Sequence, residues 1–83
     1  MRVSVIGCGH LGIPHAAAMA EIGHEVIGVD LDQAKIDRLN AGDCPIYEEG
    51  LPELLATHTA SGRLRFTSSL TEAAEFADIH FLA

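Results

Sequence analysis

The chain has 83 residues, 48% hydrophobic and 20% charged, with twelve acidic residues against five basic ones and a net charge of -7. That length bounds it to one domain or part of one, and the balance is that of a folded chain rather than a disordered one. The negative field disfavours a general nucleic-acid role or an anionic membrane partner, and no run of about 18 apolar residues is present to cross a bilayer.

The N-terminus opens directly into an apolar strand pattern, without the basic and apolar regions of a signal peptide, which points to the cytoplasm. Residues 2–6 (RVSVI) are short, β-branched and apolar, and residues 25–29 (EVIGV) repeat that character, so both read as buried parallel strands. Between them Leu11, His15, Ala18, Met19 and Ile22 fall at helical spacing, with Gly23 placed as a C-cap. Strand, helix and strand within about 30 residues have the size of one βαβ unit. A second helix is expected to start at an Asp32 N-cap, carry Ile36 and Leu39 inward and stop at Gly42. The stretch 42–50 (GDCPIYEEG) reads as an exposed loop. Leu51, Leu54, Leu55 and His58 then suggest a short helix ending near Gly62, and residues 64–66 a third strand. Ser69 and Glu72 are spaced as a capping box for a helix through about Phe76, and residues 79–83 read as a fourth strand.

This alternation predicts an α/β fold, a Rossmann-type doubly wound parallel sheet with strand order 3-2-1-4. The chain ends inside its fourth strand, so residues 1–83 are expected to be the N-terminal part of a dinucleotide-binding domain whose substrate and catalytic domains lie elsewhere.

Gly7, Gly9 and Gly12 form a GxGxxG pattern in the turn between the first strand and the first helix. Gly7 permits the tight turn, Gly9 lets a pyrophosphate approach the backbone, and Gly12 lets the helix pack closely, an effect that Ala16, Ala17 and Ala20 extend. A diphosphate there meets backbone N–H groups and the positive end of the helix dipole, so no lysine or arginine is needed, and none lies between Gly7 and Ala20. Asp30 follows Gly12 by 18 residues, at the end of the second strand, where it would accept the adenosine ribose hydroxyls. An acid with no arginine beside it repels a 2′-phosphate, so the cofactor expected is NAD rather than NADP.

Four stretches, VIGCGHLGIPHAAAMAEIGHEVIGVDLD, KIDRLNAGDCPIYEEGLPELL, GRLRFTSSL and ADIHFLA, resemble the NAD-binding domain of the UDP-glucose 6-dehydrogenase and GDP-mannose 6-dehydrogenase family over the whole chain. The second is the most specific to that family, while His10, Leu11 and Glu49 depart from its usual residues. The resemblance implies that the Leu11 backbone and the glycine loop hold the diphosphate, Asp30 the ribose, and Lys35 a further ribose or phosphate contact, a solvated lysine being the alternative. It further implies oxidation of the C6 alcohol of a nucleotide sugar, UDP-glucose first, to a carboxylate in two NAD-linked steps. A catalytic cysteine would carry the acyl stages, and neither Cys8 nor Cys44 stands at its position. A homodimer is expected for the full-length protein.

The remaining polar residues carry weaker expectations. The five histidines lack metal-ligand spacing, so no metal site is expected. His10 either lines the cofactor loop or is solvated, His80 reads as a core histidine bonded within the sheet, and Tyr47, Glu48 and Glu49 read as a solvated loop or the border of a partner domain. Competing functions are a non-catalytic nucleotide-binding or regulatory module and a sister dehydrogenase acting on UDP-N-acetylmannosamine, GDP-mannose or a hydroxyacyl thioester.

Overall fold

The computed structural model describes residues 1–46 and 48–83; Tyr47, one of the loop residues considered above, lies outside them. The described residues form four strands and four helices in the order β1 (Arg2–Ile6), α1 (Gly12–Ile22), β2 (Glu25–Val29), α2 (Gln33–Asn40), α3 (Leu51–Ser61), β3 (Leu64–Thr67), α4 (Leu70–Phe76) and β4 (Ile79–Leu82). The strands make one sheet of order β3-β2-β1-β4, every pair parallel, as the sequence pattern predicts.

Side chains of a strand point alternately to the two faces, and here the two sets enter two separate clusters. Val5, Val26, Leu64 and Phe66 join residues of α1, α2 and α3 in the main core. Ile27 and Val29, with Ile6 packed alongside, join Ala73 and Phe76 of α4 on the other face. Helices on both faces explain why β1 and β2 are almost continuously apolar. Ile36 and Leu39 are fully buried beneath α2, each burial supplying about 1.5–3 kcal/mol.

α1 turns a different face inward from the one its large apolar spacing suggests. Gly12, Ile13, Ala16, Ala17 and Ala20 are buried, whereas Leu11 and Ile22 are 79% and 72% exposed and Ala18 is also exposed. The helix lies so close to the sheet that small side chains fit beneath it and large ones are left to the flanks. Met19 packs against the edge of the core, and His15 meets the Phe81 ring edge-on at 4.8 Å.

Local signals set the helix ends. Gly23 caps α1 in the left-handed conformation, and Asp32 caps α2 by accepting from the Lys35 N–H at 3.2 Å. Ser69 accepts from the Glu72 N–H at 3.1 Å, but the capping box is only half formed. The Glu72 carboxylate turns instead to the Arg65 guanidinium and the Thr67 hydroxyl, and Thr67 accepts from the Ser69 N–H at 3.0 Å.

Two long-range side-chain bonds hold the layers in register. Asn40, at the end of α2, accepts from the Phe66 N–H and donates to the Phe66 carbonyl, both at 2.9 Å, so its amide completes the free edge of β3 as a neighbouring strand would. His58 of α3 is buried and bonded to Glu21 of α1 at 2.8 Å. His80 bonds Ser4 across the β1–β4 pair, within the sheet as expected, and its side chain is exposed among the residues described.

Candidate functional site

The parallel sheet presents the C-terminal ends of β1 and β2 side by side, and there the chain turns sharply from β1 towards α1. Gly7 leaves β1 with φ of 104°, a conformation that L side chains rarely adopt, and donates its N–H to the Val29 carbonyl at 2.8 Å. An added Cβ on Gly12 would stand 1.7 Å from the Gly7 carbonyl oxygen, so the turn's own backbone excludes a side chain there. Gly9 differs: a Cβ built on it meets nothing within 4 Å. The fold does not require that glycine, and what it provides is an open approach to the loop backbone. α1 begins beside it with no side-chain cap and no acidic residue in its first turn, so the partial positive charge of its N-terminus, about half an elementary charge, faces the opening uncompensated.

Across the turn stands Asp30. Its Oδ1 accepts from the Asp32 N–H at 3.0 Å, and its Oδ2 accepts from the Cys8 N–H at 3.3 Å and the Lys35 ammonium at 3.2 Å. Lys35 also donates to the Cys8 carbonyl at 3.2 Å, strapping the glycine loop to α2. The Asp32 N–H leads in holding the Asp30 carboxyl below its ordinary value, with Lys35 and Cys8 adding to it against an opposing effect of burial. Lys35 is therefore not a solvated lysine on an open helix face; its side chain is 34% exposed and doubly bonded.

Beside Asp30 opens a cleft of about 380 Å³ lined by Ile6, Gly7, Val29, Asp30, Leu31 and Leu70. Its walls are apolar apart from one carboxylate at the rim, which suits a flat ring carrying hydroxyl groups. Leu31 and Leu70 stand 89% and 56% exposed on either side of it, and sequence reasoning missed both, since neither belongs to a motif. His10 is exposed and shares a smaller hollow with Cys8, Gly9, Ile13, Lys35, Pro45 and Ile46. Among the described residues no group of three or more His, Cys, Asp or Glu is placed to hold a metal ion, and no helix is long and apolar enough to cross a membrane.

A glycine turn, an uncapped helix start and a strand-end acid occur in many dinucleotide folds. The sequence profile of the UDP-glucose/GDP-mannose dehydrogenase family, NAD binding domain, matches residues 1–83. The chain belongs to this family. It is 42% identical over 83 residues to UDP-glucose 6-dehydrogenase of Rhizobium meliloti, with all of this chain and 19% of that protein covered. It is 46% identical over 82 residues to GDP-mannose 6-dehydrogenase of Azotobacter vinelandii, with 99% of this chain and 19% of that protein covered. The crystal structure of a ternary complex of GDP-mannose dehydrogenase from Pseudomonas aeruginosa superposes with a TM-score of 0.96 at 41% identity, again over all of this chain and 19% of the other. The chain thus spans about a fifth of the length of these relatives. Its fold is the Rossmann-type NAD-binding domain of nucleotide-sugar dehydrogenases, and its cofactor is NAD.

The residues present fit that cofactor. The open face at Gly9 admits a diphosphate, the α1 N-terminus offers it charge, and the cleft at Asp30 has room for a nucleoside. In this NAD-binding domain Cys8 is inert: burial first, and Asp30 second, push its thiol up to about 12 while Lys35 opposes them, and its Sγ donates to the Val29 carbonyl at 3.4 Å. A maleimide offered to the native protein at pH 8 is expected to label half-buried Cys44 first and Cys8 at least about a hundredfold more slowly, which peptide mass mapping resolves. Fast labelling of Cys8 would show that the loop opens.

The acids set the pH dependence. Asp30 and Glu72, the latter through Arg65 first and Thr67 second, both sit below their ordinary values of 3.8 and 4.5 in the folded state. A lowered folded pKa supplies stability that is complete above the ordinary range and is lost as pH falls through it. Urea midpoints are therefore expected to hold their Asp30 and Glu72 contribution above about pH 5 and to fall below about pH 4, with a shallower acid limb in Asp30→Asn/Glu72→Gln. An acid limb of wild-type slope in the double variant would place the acid-labile groups elsewhere.

Proposed function

We propose that this chain is the cofactor-holding part of a nucleotide-sugar 6-dehydrogenase, cytoplasmic, that oxidises the C6 alcohol of UDP-glucose to the carboxylate of UDP-glucuronate with two NAD and one water. The observation that carries the reading is the Asp30 carboxylate, held ionised at the rim of an apolar cleft with the glycine turn and the uncapped start of α1 beside it. NAD supplies the hydride acceptor for each of the two oxidations. The chain's own residues do the binding. Gly7, Gly9 and Gly12 shape the loop, and the N–H groups around Leu11 meet the diphosphate, with His10 bordering it. Asp30 accepts the adenosine ribose hydroxyls, Lys35 reaches the same ribose with its remaining proton, and Leu31 and Leu70 flank the adenine.

Calorimetric titration tests this directly. NAD is expected to bind wild type and to bind Asp30→Ala about tenfold more weakly, the loss of hydrogen bonds to a charged acceptor, with an unchanged far-UV spectrum. An unchanged affinity would remove Asp30 from the site. Turnover of UDP-glucose, GDP-mannose and UDP-N-acetylmannosamine by the full-length protein decides the substrate; the relatives, named for different nucleotide sugars at similar identity, support the class and leave the sugar to that panel.

A further inference from the structure

Cys8 stands between Gly7 and Gly9 in the turn that leads from β1 into α1. Glycine restricts the backbone least of all residues, so a loop with glycines at positions 7, 9 and 12 samples many shapes unless something fixes it. Cys8 is where it is fixed. Its N–H donates to Asp30 Oδ2 at 3.3 Å, its thiol donates to the Val29 carbonyl at 3.4 Å, and its carbonyl accepts from the Lys35 ammonium at 3.2 Å. The first two bonds tie Cys8 to the end of β2, while the third comes from a separate element, α2. We propose that Lys35 is a positioning residue for the dinucleotide: by holding Cys8 at its carbonyl it keeps the glycine loop in the shape that receives the diphosphate, before any ligand arrives. The inference rests on the proposed reading of that loop as the diphosphate site, and it gives Lys35 a task other than contact with the ribose.

The helix that carries the lysine is itself anchored at both ends. At its start Asp32 accepts from the Lys35 N–H at 3.2 Å, and the Asp32 N–H donates to Asp30 Oδ1 at 3.0 Å. At its end Asn40 is bonded to the backbone of Phe66 on β3. The Lys35 ammonium then closes a ring of hydrogen bonds through Asp30 Oδ2 at 3.2 Å, so that Asp30, Asp32, Lys35 and Cys8 join the glycine loop, the end of β2 and the first turn of α2. Lys35 lines one hollow with Arg38 and Asp43 and another with Gly9 and His10, so space lies on both flanks of its stem. Its head is therefore held by the bonds to Cys8 and Asp30 more than by packing. A loop already in its bound shape loses less freedom when the ligand arrives, and affinity rises accordingly.

The test begins without ligand. In the full-length protein, maleimide labelling of Cys8, read by peptide mass mapping, is expected to be about tenfold faster in Lys35→Met than in wild type, while Cys44 labels at its wild-type rate. The sign is diagnostic. Lys35 draws the Cys8 thiol downward against burial and Asp30, so losing its charge alone would slow labelling rather than speed it. Lys35→Ala answers the same question should the methionine variant fold poorly. The second arm titrates NAD and adenosine separately: NAD is expected to bind Lys35→Met about tenfold more weakly, while adenosine, which has the ribose and no phosphate, stays within about threefold of wild type. Cys8 labelling no faster in either variant overturns the proposal, as does a Cys44 rate that rises in step with it, which is opening of the whole domain. Equal losses for NAD and adenosine overturn it too, since a lost ribose contact then accounts for both. The two readings fail separately: wild type that binds no NAD overturns the proposed function and the part of Lys35 in it, whereas wild type that binds NAD, with Lys35 variants whose Cys8 stays slow, overturns the positioning role alone.

Discussion

Replacing Gly12 with alanine is expected to destabilise the chain by about 3 kcal/mol and to abolish measurable NAD binding. The new methyl would stand 1.7 Å from the Gly7 carbonyl oxygen, and that neighbour is backbone, so no rotamer change relieves the clash. Gly7 cannot yield easily, because its φ of 104° and its bond to the Val29 carbonyl fix the turn against β2. The strain must pass into α1, which can retreat only by opening the seam made by Ala16, Ala17 and Ala20 against the sheet. For a domain of this size about 3 kcal/mol lowers the melting temperature by roughly 12–24 °C, which a circular dichroism melt reads directly. Gly9→Ala is the control. Its methyl meets nothing within 4 Å, so the melt is expected to stay within about 0.5 kcal/mol of wild type while NAD binding weakens. A Gly12→Ala protein that melts with wild type would show that the turn is looser than its geometry.

That pair of glycines also shows how far the sequence could be read. The motif spacing located the turn, and Asp30, the Asp32 cap and the Gly23 cap each announced themselves through neighbours a few residues away. The motif also separates Gly12, read as a packing glycine, from Gly9, read as an open approach, and the space around each Cβ position agrees. The inward face of α1 carries two signals: apolar periodicity favours Leu11, Met19 and Ile22, whereas the glycine motif assigns the close packing to Gly12, Ala16, Ala17 and Ala20, and it is these small residues that a helix pressed onto parallel strands buries. Asn40 and Phe66 are 26 residues apart, and His58 and Glu21 are 37 apart, so neither pair leaves a periodic trace. Spacing alone placed Ser69 and Glu72 in a capping box, whereas the Glu72 carboxylate found a cation on the neighbouring strand.

Gly28 is the position where a core variant is expected to reach the site. A Cβ there would stand 2.5 Å from the Phe66 ring and 3.2 Å from the Cys8 sulfur, so Gly28→Ala is expected to destabilise by about 2–3 kcal/mol. The ring has little room to retreat, since Phe66 is buried and its backbone is held on both sides by Asn40. Phe66→Leu alone removes ring volume and costs about 1–2 kcal/mol through an underfilled core. In the double variant the leucine vacates the space the methyl needs, so the two losses are expected to fall short of additivity by about 1 kcal/mol in a denaturant double-mutant cycle. Additive losses would mean that the methyl's obstacle is the Cys8 sulfur. NAD affinity distinguishes the routes, because the Cys8 N–H holds Asp30. If the ring takes up the strain, Gly28→Ala binds NAD as wild type does; if Cys8 is pushed outward, Asp30 loses its loop-side partner and affinity falls in the single variant and recovers in the double.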